Sequence, residues 1–299
     1  MPTEVHAPVA QVQDHHQIIL LTGCSSGFGK MAASLLLQRG HTVIAAIRGG
    51  ESRLDKIFSQ ELRAFPGKLI AVDLHMENPE SFEQARKLVT DRFGGKLDVL
   101  INNAGYGLFG SLEDYTEQQL RHQMAVNFFG PALLTRALLP SLRATRGKVI
   151  NISSVCGRHG FPCYSAYNAS KYALEGLTEA LHFDLKSLGV QVALIEPGGF
   201  KTDFSTRSRM FGENAFNAIS PYRARNEAMN HMLASTSPRL GNPMRVARLI
   251  VSFVERRRIP LRQPIGADSW LMATLGWLLP QRLRLGLLDR FFRLVLFKD

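Results

Sequence analysis

The stretch at residues 22–29, TGCSSGFG, decides the fold class of this chain of 299 residues. It follows a β-branched and leucine-rich run at 18–21 and opens a helical pattern at 29–38. A glycine-rich turn between a strand and a helix lets backbone N–H groups approach a pyrophosphate at the positive end of the helix. The same turn also fits an ordinary strand-to-helix connection, so its interpretation depends on the rest of the chain.

Apolar runs and helical patterns alternate from this turn to about residue 195. The apolar runs lie at 18–21, 42–47, 68–72, 99–101, 148–152 and 190–195, and the helical patterns lie at 29–38, 80–93, 118–142 and 165–187. Near-continuous apolar strands between helices are typical of a parallel sheet that is covered on both faces. Right-handed crossovers then predict a single α/β domain with a doubly wound, Rossmann-type parallel sheet, which binds ligands at the carboxyl ends of its strands.

The composition excludes several other classes of protein. A hydrophobic share of 45% with 20% charged residues is ordinary for a globular chain, and no run reaches the roughly 18 apolar residues of a membrane-spanning helix. Three cysteines without metal-ligand spacing (Cys24, Cys156 and Cys163) indicate reduced thiols in a cytoplasmic protein and no metal site.

We predict a disordered polar leader at 1–16, a catalytic domain at 17–267 and a basic amphipathic helical extension at 268–299.

The positive charge is concentrated at the C-terminal end. The net charge is +11, and residues 238–299 contain twelve Arg or Lys but only four Asp or Glu. No nucleic-acid motif accompanies these charges, so we expect no nucleic-acid partner. An anionic membrane surface and plain solvated charge both remain explanations.

Further motifs follow the predicted strands in order. NNAG occupies 102–105, Asn127 lies within a helical pattern, Ser154 precedes Tyr167 by thirteen residues, YNASK occupies 167–171, and PGG occupies 197–199. With these motifs, and with the G-x-x-x-G-x-G spacing of its first turn, the chain resembles the classical short-chain dehydrogenase/reductase family over residues 17–266. Around residues 154–176 it is similar to the hydroxysteroid and retinol dehydrogenases of that family.

The resemblance implies four catalytic residues, Asn127, Ser154, Tyr167 and Lys171. In the family the lysine also holds the nicotinamide ribose, and the asparagine anchors a water chain to that lysine. The resemblance further implies that the cofactor contacts Gly23, Ser25, Ser26, Gly27, Phe28, Gly29, Arg48, Asp73, Leu74, Asn103, Ala104, Gly105, Tyr167, Lys171, Pro197, Gly198 and Thr202. For Asp73, an N-terminal cap of the following helix is the alternative.

The residue types fit acid–base chemistry. Tyr167 and Lys171 are at i and i+4 and share one face of a helix. A phenol with a pKa near 10 is a poor proton donor and acceptor at neutral pH, and we expect the nearby ammonium to lower that pKa. The Ser154 hydroxyl can bond the same substrate oxygen as charge develops on it. If Tyr167 and Lys171 are considered without the other motifs, the alternative to a catalytic role is an ordinary exposed pair of side chains on a helix.

The end of the second strand bears on the choice of cofactor. An acidic residue there would hold the ribose 2′-hydroxyl of NAD, but residues 45–48 read AAIR. Arg48 can instead pair with a 2′-phosphate, assisted by Ser25. The sequence therefore favours NADP; a solvated Arg48 with bound NAD is the alternative.

Residues 202–238 become polar and methionine-rich, which predicts a mobile lid. The apolar side chains in and beside it are Phe200, Phe204, Met210, Phe211, Phe216, Met229 and Met232. They favour a lipophilic, steroid- or retinoid-like alcohol or ketone, although such residues also pack on a lid's own helices.

In the loop before Tyr167 we expect Cys156, His159 and Cys163 to line the pocket rather than act as nucleophiles. Ser153 should point away from the site, and Tyr164 should form a pocket wall or pack.

The tail from Gln281 reads as an amphipathic helix. Its polar stripe consists of Arg282, Gly286, Asp289, Arg290 and Arg293, while Arg284 interrupts the apolar remainder. Three arrangements would bury that apolar face: docking on the protein's own core, a subunit interface, or a membrane interface.

Together these patterns predict an NADP(H)-dependent oxidoreductase that acts on a secondary alcohol or carbonyl of a lipophilic small molecule. We expect a homo-oligomer, and the tail allows peripheral membrane contact. A catalytically silent NADP-binding regulatory module and a membrane-associated scaffold are the alternatives.

Overall fold

The computed structural model describes residues 16–202, 208–235 and 240–296. In these residues the strands are β1 (Ile18–Thr22), β2 (Thr42–Ile47), β3 (Leu69–Asp73), β4 (Val99–Asn102), β5 (Gly107–Phe109), β6 (Lys148–Ile152), β7 (Gln191–Pro197), β8 (Arg209–Phe211) and β9 (Arg262–Ile265). The α-helices are α1 (Gly27–Gln38), α2 (Glu51–Ala64), α3 (Pro79–Phe93), α4 (Glu117–Met124), α5 (Gly130–Thr145), α6 (Ser165–Lys186), α7 (Arg223–Ser235), α8 (Met244–Glu255), α9 (Ala267–Leu278) and α10 (Gln281–Leu296).

Seven strands form one parallel sheet in the order β3-β2-β1-β4-β6-β7-β9. The chain runs outward through β2 and β3 on one side of β1 and continues through β4 on the other. This reversal makes a crevice at the carboxyl ends of β1 and β4, which is where doubly wound folds bind ligands. The predicted fold class is confirmed.

Alternate residues of the strands fill two hydrophobic layers. Leu21 and Ile101 face α1 and α8, where Phe253 is fully buried. Leu20 and Leu100 face α3 and α5 on the opposite side. Because both faces are covered, β1 and β4 are apolar at nearly every position, which is why they read as continuous runs in the sequence.

The helix predicted at 118–142 contains a π-helical segment at Ala125–Phe129 between α4 and α5. Such segments often occur at functional sites. The lid predicted at 202–238 contains β8, which pairs with β5, and α7. Phe204 and most of the predicted leader, residues 1–15, lie outside the described residues.

The C-terminal helices are only partly packed on the domain. On α10, Phe292 is buried and Leu288 half-buried against Met229 of α7, so one stripe of the tail docks on the protein's own core. Within the ranges given above, no helix has both the length and the apolar character to cross a bilayer.

Candidate active site

The glycine-rich turn after β1 is held against the segment after β4. The Thr22 hydroxyl accepts the backbone N–H groups of Asn103 at 2.9 Å and Ala104 at 3.0 Å, and the Asn103 amide donates to the Thr22 carbonyl at 2.9 Å. Gly23 has φ +69°, and a Cβ there would lie 2.9 Å from the Cα of Ala104. A Cβ on Gly29 would collide with the Gly23 carbonyl oxygen. The close approach of these two segments therefore requires both glycines.

The N-terminus of α1 is suited to an anion. Ser26 caps the helix without a side-chain hydrogen bond, and no acidic residue lies in the first turn. First-turn N–H groups lack partners within a helix, and the positive end of the helix dipole favours negative charge. The residues present thus fit the pyrophosphate of a dinucleotide.

Ser154, Tyr167 and Lys171 come together at the carboxyl end of β6. All three are largely buried. The Tyr167 phenol hydrogen-bonds with the Ser154 side chain, and Lys171 Nζ lies 5.7 Å from the centre of the Tyr167 ring. Lys171 also donates to the Ile152 carbonyl at 2.8 Å, while Ser154 Oγ accepts the Cys156 N–H at 3.1 Å. Helix α6 therefore presents Tyr167 and Lys171 on one face, as their spacing predicts.

Asn127 occupies the π-helical segment behind this group. Its amide donates to the Tyr106 carbonyl at 2.8 Å and to Ser170 Oγ at 3.2 Å, and its carbonyl accepts the Tyr106 N–H at 3.1 Å. A Cβ on Gly105 would lie 3.1 Å from Asn127 Oδ1 and 3.9 Å from Lys171 Nζ. Asn127 thus ties the segment after β4 to α6, close to Lys171, but does not itself line the cavity.

Burial dominates the proton affinities in this group. It raises the pKa of Tyr167, and the nearby Cys156 thiol adds to the rise, while the hydrogen bond with Ser154 opposes it. Burial lowers the pKa of Lys171 to about 8. The sequence predicts a lowered phenol pKa, but in this structure the pKa of Tyr167 is raised, because burial makes the phenolate costly.

The end of β2 carries Arg48, which is exposed and lines the cavity. Arg53 of α2 donates to the Arg48 carbonyl at 3.3 Å and places a second guanidinium nearby. Asp73 Oδ1 accepts the Gly49 N–H at 2.8 Å and so holds the turn after β2. The alternative that Asp73 caps the next helix is wrong, because Asn78 is the N-cap of α3.

One cavity of about 850 Å³ joins the turn, the Tyr167 group and the end of β2. The predicted residues that line it are Gly23, Ser25, Ser26, Gly27, Phe28, Arg48, Leu74, Asn103, Ala104, Gly105, Ser154, Tyr167, Lys171, Pro197, Gly198 and Thr202. Three other predicted residues do not line the cavity: Gly29, Asp73 and Asn127. Most of the residues predicted to contact the cofactor share this one cavity, because they follow strand ends that meet at the same edge of the sheet; their contact with the cofactor stays a prediction.

The far side of the cavity is mainly apolar. Its large side chains are Phe109, Phe161, Tyr164, Phe200, Met210, Met232, Leu233, Phe291 and Phe292. Tyr164 packs edge-on against Phe109, with ring centres 4.6 Å apart. Met229 is instead buried in the cluster beneath α10, and Phe211 packs on Phe109 and Phe216. Sequence reasoning missed Phe291 and Phe292, which come from the tail and carry no local signal of a pocket.

Two residues of the loop before Tyr167 do not line this cavity, contrary to the prediction. Cys163 packs with Met229 and Phe292. His159 is buried in a second, polar cavity that is also lined by Arg284 of α10. This position explains why Arg284 interrupts the apolar pattern of the tail: Arg284 lines a cavity of the protein and has the same helical spacing as Leu288 and Phe292. The expectation that Ser153 points away from the site is wrong, because Ser153 lines the main cavity; its Oγ lies close to Gly157.

Among the described residues, no group of three His, Cys, Asp or Glu side chains is placed to hold a metal ion.

A parallel sheet with a glycine-rich turn at its switch point and a buried tyrosine–lysine pair defines a dinucleotide-binding oxidoreductase. The family model described as short chain dehydrogenase matches residues 17–236. The chain therefore belongs to the short-chain dehydrogenase/reductase family and uses a nicotinamide cofactor.

Individual relatives agree with this assignment. The chain is 37% identical over 270 residues to a 3-ketodihydrosphingosine reductase of Bacteroides thetaiotaomicron. The aligned region covers 85% of this chain and 93% of the relative. The crystal structure of a short-chain dehydrogenase from Streptomyces avermitilis superposes with a TM-score of 0.78 at 34% identity, over 93% of this chain and 98% of that one. A family member from Burkholderia phymatum, solved in complex with NAD, gives a TM-score of 0.74 at 26% identity, over 88% and 93% of the two chains.

Proposed function

We propose that this protein interconverts a secondary alcohol and a carbonyl group on a lipophilic, steroid- or retinoid-like substrate, with NADP(H) as the cofactor. The observation that carries the proposal is the burial of Ser154, Tyr167 and Lys171 together at a strand end, in the cavity that also contains the glycine-rich turn. The substrate oxygen would bind beside the first two of these residues.

Tyr167 is the proposed proton donor and acceptor. Because burial raises its pKa, the phenol keeps its proton until a carbonyl oxygen beside it gains negative charge, and it then donates that proton. Ser154 Oγ already accepts the Cys156 N–H, so its own O–H is directed elsewhere and can donate to the same oxygen. A bound nicotinamide supplies or accepts the hydride.

Lys171 and Asn127 complete the proposed machinery. The Lys171 ammonium favours the phenolate left after proton transfer, and in this proposal it would also hold the nicotinamide ribose, since it lines the same cavity as the glycine-rich turn. Asn127 acts as a positioning residue, since its three hydrogen bonds hold the segment at Gly105 beside Lys171.

Arg48 supports the preference for NADP over NAD. It lies at the end of β2, where a carboxylate would bind the 2′-hydroxyl of NAD, and Arg53 places a second cation close to it. Guanidinium groups bind phosphate with paired, charge-assisted hydrogen bonds, and Ser25 lines the same cavity.

The apolar far side of the cavity supports a lipophilic substrate. A volume of about 850 Å³ suits a ligand of substantial size together with the cofactor. The similarity to a reductase of 3-ketodihydrosphingosine points in the same direction, toward a lipid ketone.

For partners and location we propose a cytoplasmic homo-oligomer with peripheral membrane contact through its C-terminal segment. Exposed Phe183 and Leu188 on and beside α6 support contact between copies. Three buried free cysteines, Cys24, Cys156 and Cys163, fit a reducing compartment.

A panel of short and bulky ketones and alcohols, assayed with NADPH and NADH and their oxidised forms at the nicotinamide absorbance, tests the proposal. We expect the highest kcat/KM for a bulky lipophilic ketone with NADPH. Preference for NADH would refute the assignment of the cofactor. Tight cofactor binding without turnover of any substrate would refute the catalytic role and favour a silent NADP-binding module.

A further inference from the structure

Helix α9 presents four large apolar side chains to solvent. Trp270, Leu271, Trp277 and Leu278 are each more than half exposed, and Trp277 reaches 83%. At helical spacing they fall on one face. A soluble surface does not ordinarily place two tryptophans on one exposed apolar face, whereas tryptophan is favoured where one side is apolar and the other is wet.

Helix α10 divides into three stripes. Arg284, Leu288 and Phe292 face the protein, and Arg282, Asp289 and Arg293 lie on a polar stripe. The remaining apolar stripe is exposed and consists of Leu283, Leu287, Phe291 and Leu294, the last at 67%. Internal packing therefore uses only one of the two apolar stripes of this helix.

The charge beside the exposed stripe is predominantly basic. Arg282, Arg290 and Arg293 are exposed on α10, and Asp289, which pairs with Arg293 at 2.9 Å, is its one acidic residue. Basic side chains next to an exposed apolar helix face complement an anionic lipid surface. Since neither helix can span a bilayer, they would lie in the plane of the interface.

The exposed stripe is continuous with the substrate cavity. Phe291 is 55% exposed and also lines the cavity, and the adjacent Phe292 lines it from its buried position. A lipophilic molecule that leaves a surface covering α10 would meet these two rings first. The same helix, α10, therefore contributes both the exposed apolar stripe and part of the lining of the cavity.

We propose that α9 and α10 dock on an anionic bilayer and that the lipophilic substrate enters the cavity from that bilayer past Phe291 and Phe292. This inference rests on the proposed function for the nature of the substrate. The docking step is independent of catalysis, so it can fail or succeed on its own.

Sedimentation with vesicles tests the docking. We expect the full chain to bind phosphatidylcholine vesicles that contain phosphatidylserine, and to bind less at high salt. Trp277→Glu combined with Leu294→Glu should weaken this binding at least about 100-fold, because two large apolar groups leave the interface. Both side chains are exposed and lie outside the cavity lining, so melting temperature and fold should not change.

The matched control is Ile219→Glu combined with Leu112→Glu. These side chains are 86% and 62% exposed but belong to other segments, so vesicle binding should persist. Equal loss in both double variants would overturn the docking surface, as would absence of binding by the unaltered chain. A lower molecular mass of the Trp277/Leu294 variant in solution, without a change in vesicle binding, would assign the face to a second copy instead.

Kinetics with two substrates test the route of entry. A long-chain ketone dissolved in the vesicles should be reduced at least about 10-fold more slowly by the Trp277/Leu294 variant, while a short water-soluble ketone should be reduced at the unaltered rate. Equal rates for the vesicle-borne ketone would overturn entry from the bilayer. If the unaltered chain reduces neither ketone, the proposed function fails, and the sedimentation result still decides the docking.

Discussion

Tyr164 and Tyr167 lie one helical turn apart and both line the cavity, but only Tyr167 has a lysine four residues later. Tyr167→Phe removes the proton donor and keeps the ring that fills the site. We expect kcat to fall by about 10²–10⁴-fold, while the affinity for NADPH stays nearly unchanged. Steady-state kinetics and cofactor titration measure the two effects.

Tyr164→Phe is the matched control for this variant. Its phenol is also buried, and its pKa is also raised by burial, but the residue four positions later is Asn168 and not a lysine. Turnover within a few-fold of the unaltered protein is expected. Equal losses in both variants would contradict the assignment of Tyr167.

Arg48 carries the proposed choice of cofactor. Arg48→Asp removes a partner of the 2′-phosphate and supplies an acceptor for a ribose hydroxyl, so the ratio of kcat/KM for NADPH to that for NADH should fall by about 10²-fold. Arg63→Asp, an exposed change at the end of α2, makes the same change in charge away from the cavity. If the ratio of kcat/KM for NADPH to that for NADH fell equally in this control, the effect would come from overall charge and not from Arg48.

At the scale of elements, the loop after β6 places His159 in a buried position, in the cavity that Arg284 of α10 also lines. Burial, with the charges of Arg284 and Arg158, lowers the pKa of His159 to about 4. Between pH 6.5 and 4 the unfolded chain therefore binds more protons at this residue than the folded chain, and the free energy of unfolding falls as the pH is lowered through this range. We expect this residue to account for roughly 3 kcal/mol of the loss.

Urea unfolding of His159→Gln at a series of pH values checks this expectation. The variant should lose less stability on acidification than the unaltered protein. His231→Gln, on an exposed part of α7, should follow the unaltered pH dependence. Parallel curves for all three proteins would show that His159 is not a source of acid sensitivity.

Elements differ in how far the sequence predicts them. Strands β2 and β6 begin and end where the predicted runs at 42–47 and 148–152 do, since buried parallel strands are mainly apolar. Strand β9, RQPI, was missed because it is a short edge strand whose pairing with β7 leaves most of its residues half-exposed. Helix α2 was missed as well, since only Leu54 and Phe58 are buried in it.

At the scale of the whole molecule, α10 closes the cavity and covers the cluster around Met229. Removal of residues 280–299 exposes that cluster and takes away Phe291 and Phe292. We expect the free energy of unfolding to fall by roughly 3 kcal/mol, because Leu288 and Phe292 lose their packing. We also expect KM to rise more for a bulky ketone than for a short one.

Calorimetry and kinetics on the truncated chain measure both effects. Phe292→Ala is the smaller change that leaves the rest of the tail in place, and it should reproduce part of the loss in stability. An unchanged melting temperature together with an unchanged KM for the bulky ketone would show that α10 neither packs on the domain nor bounds the substrate.

The sequence by itself determined six of the seven strands of the sheet, the family and the positions of Ser154, Tyr167 and Lys171. The strands of the sheet are near-continuous apolar runs, and the motifs follow strand ends, so local pattern and chain order carry this information. The tertiary structure alone decided that Phe291 and Phe292 line the cavity, that Arg284 reaches His159, and that burial raises the Tyr167 pKa. These features depend on contacts between segments more than 100 residues apart, or on the degree of desolvation at a site, and neither leaves a trace in the neighbouring sequence.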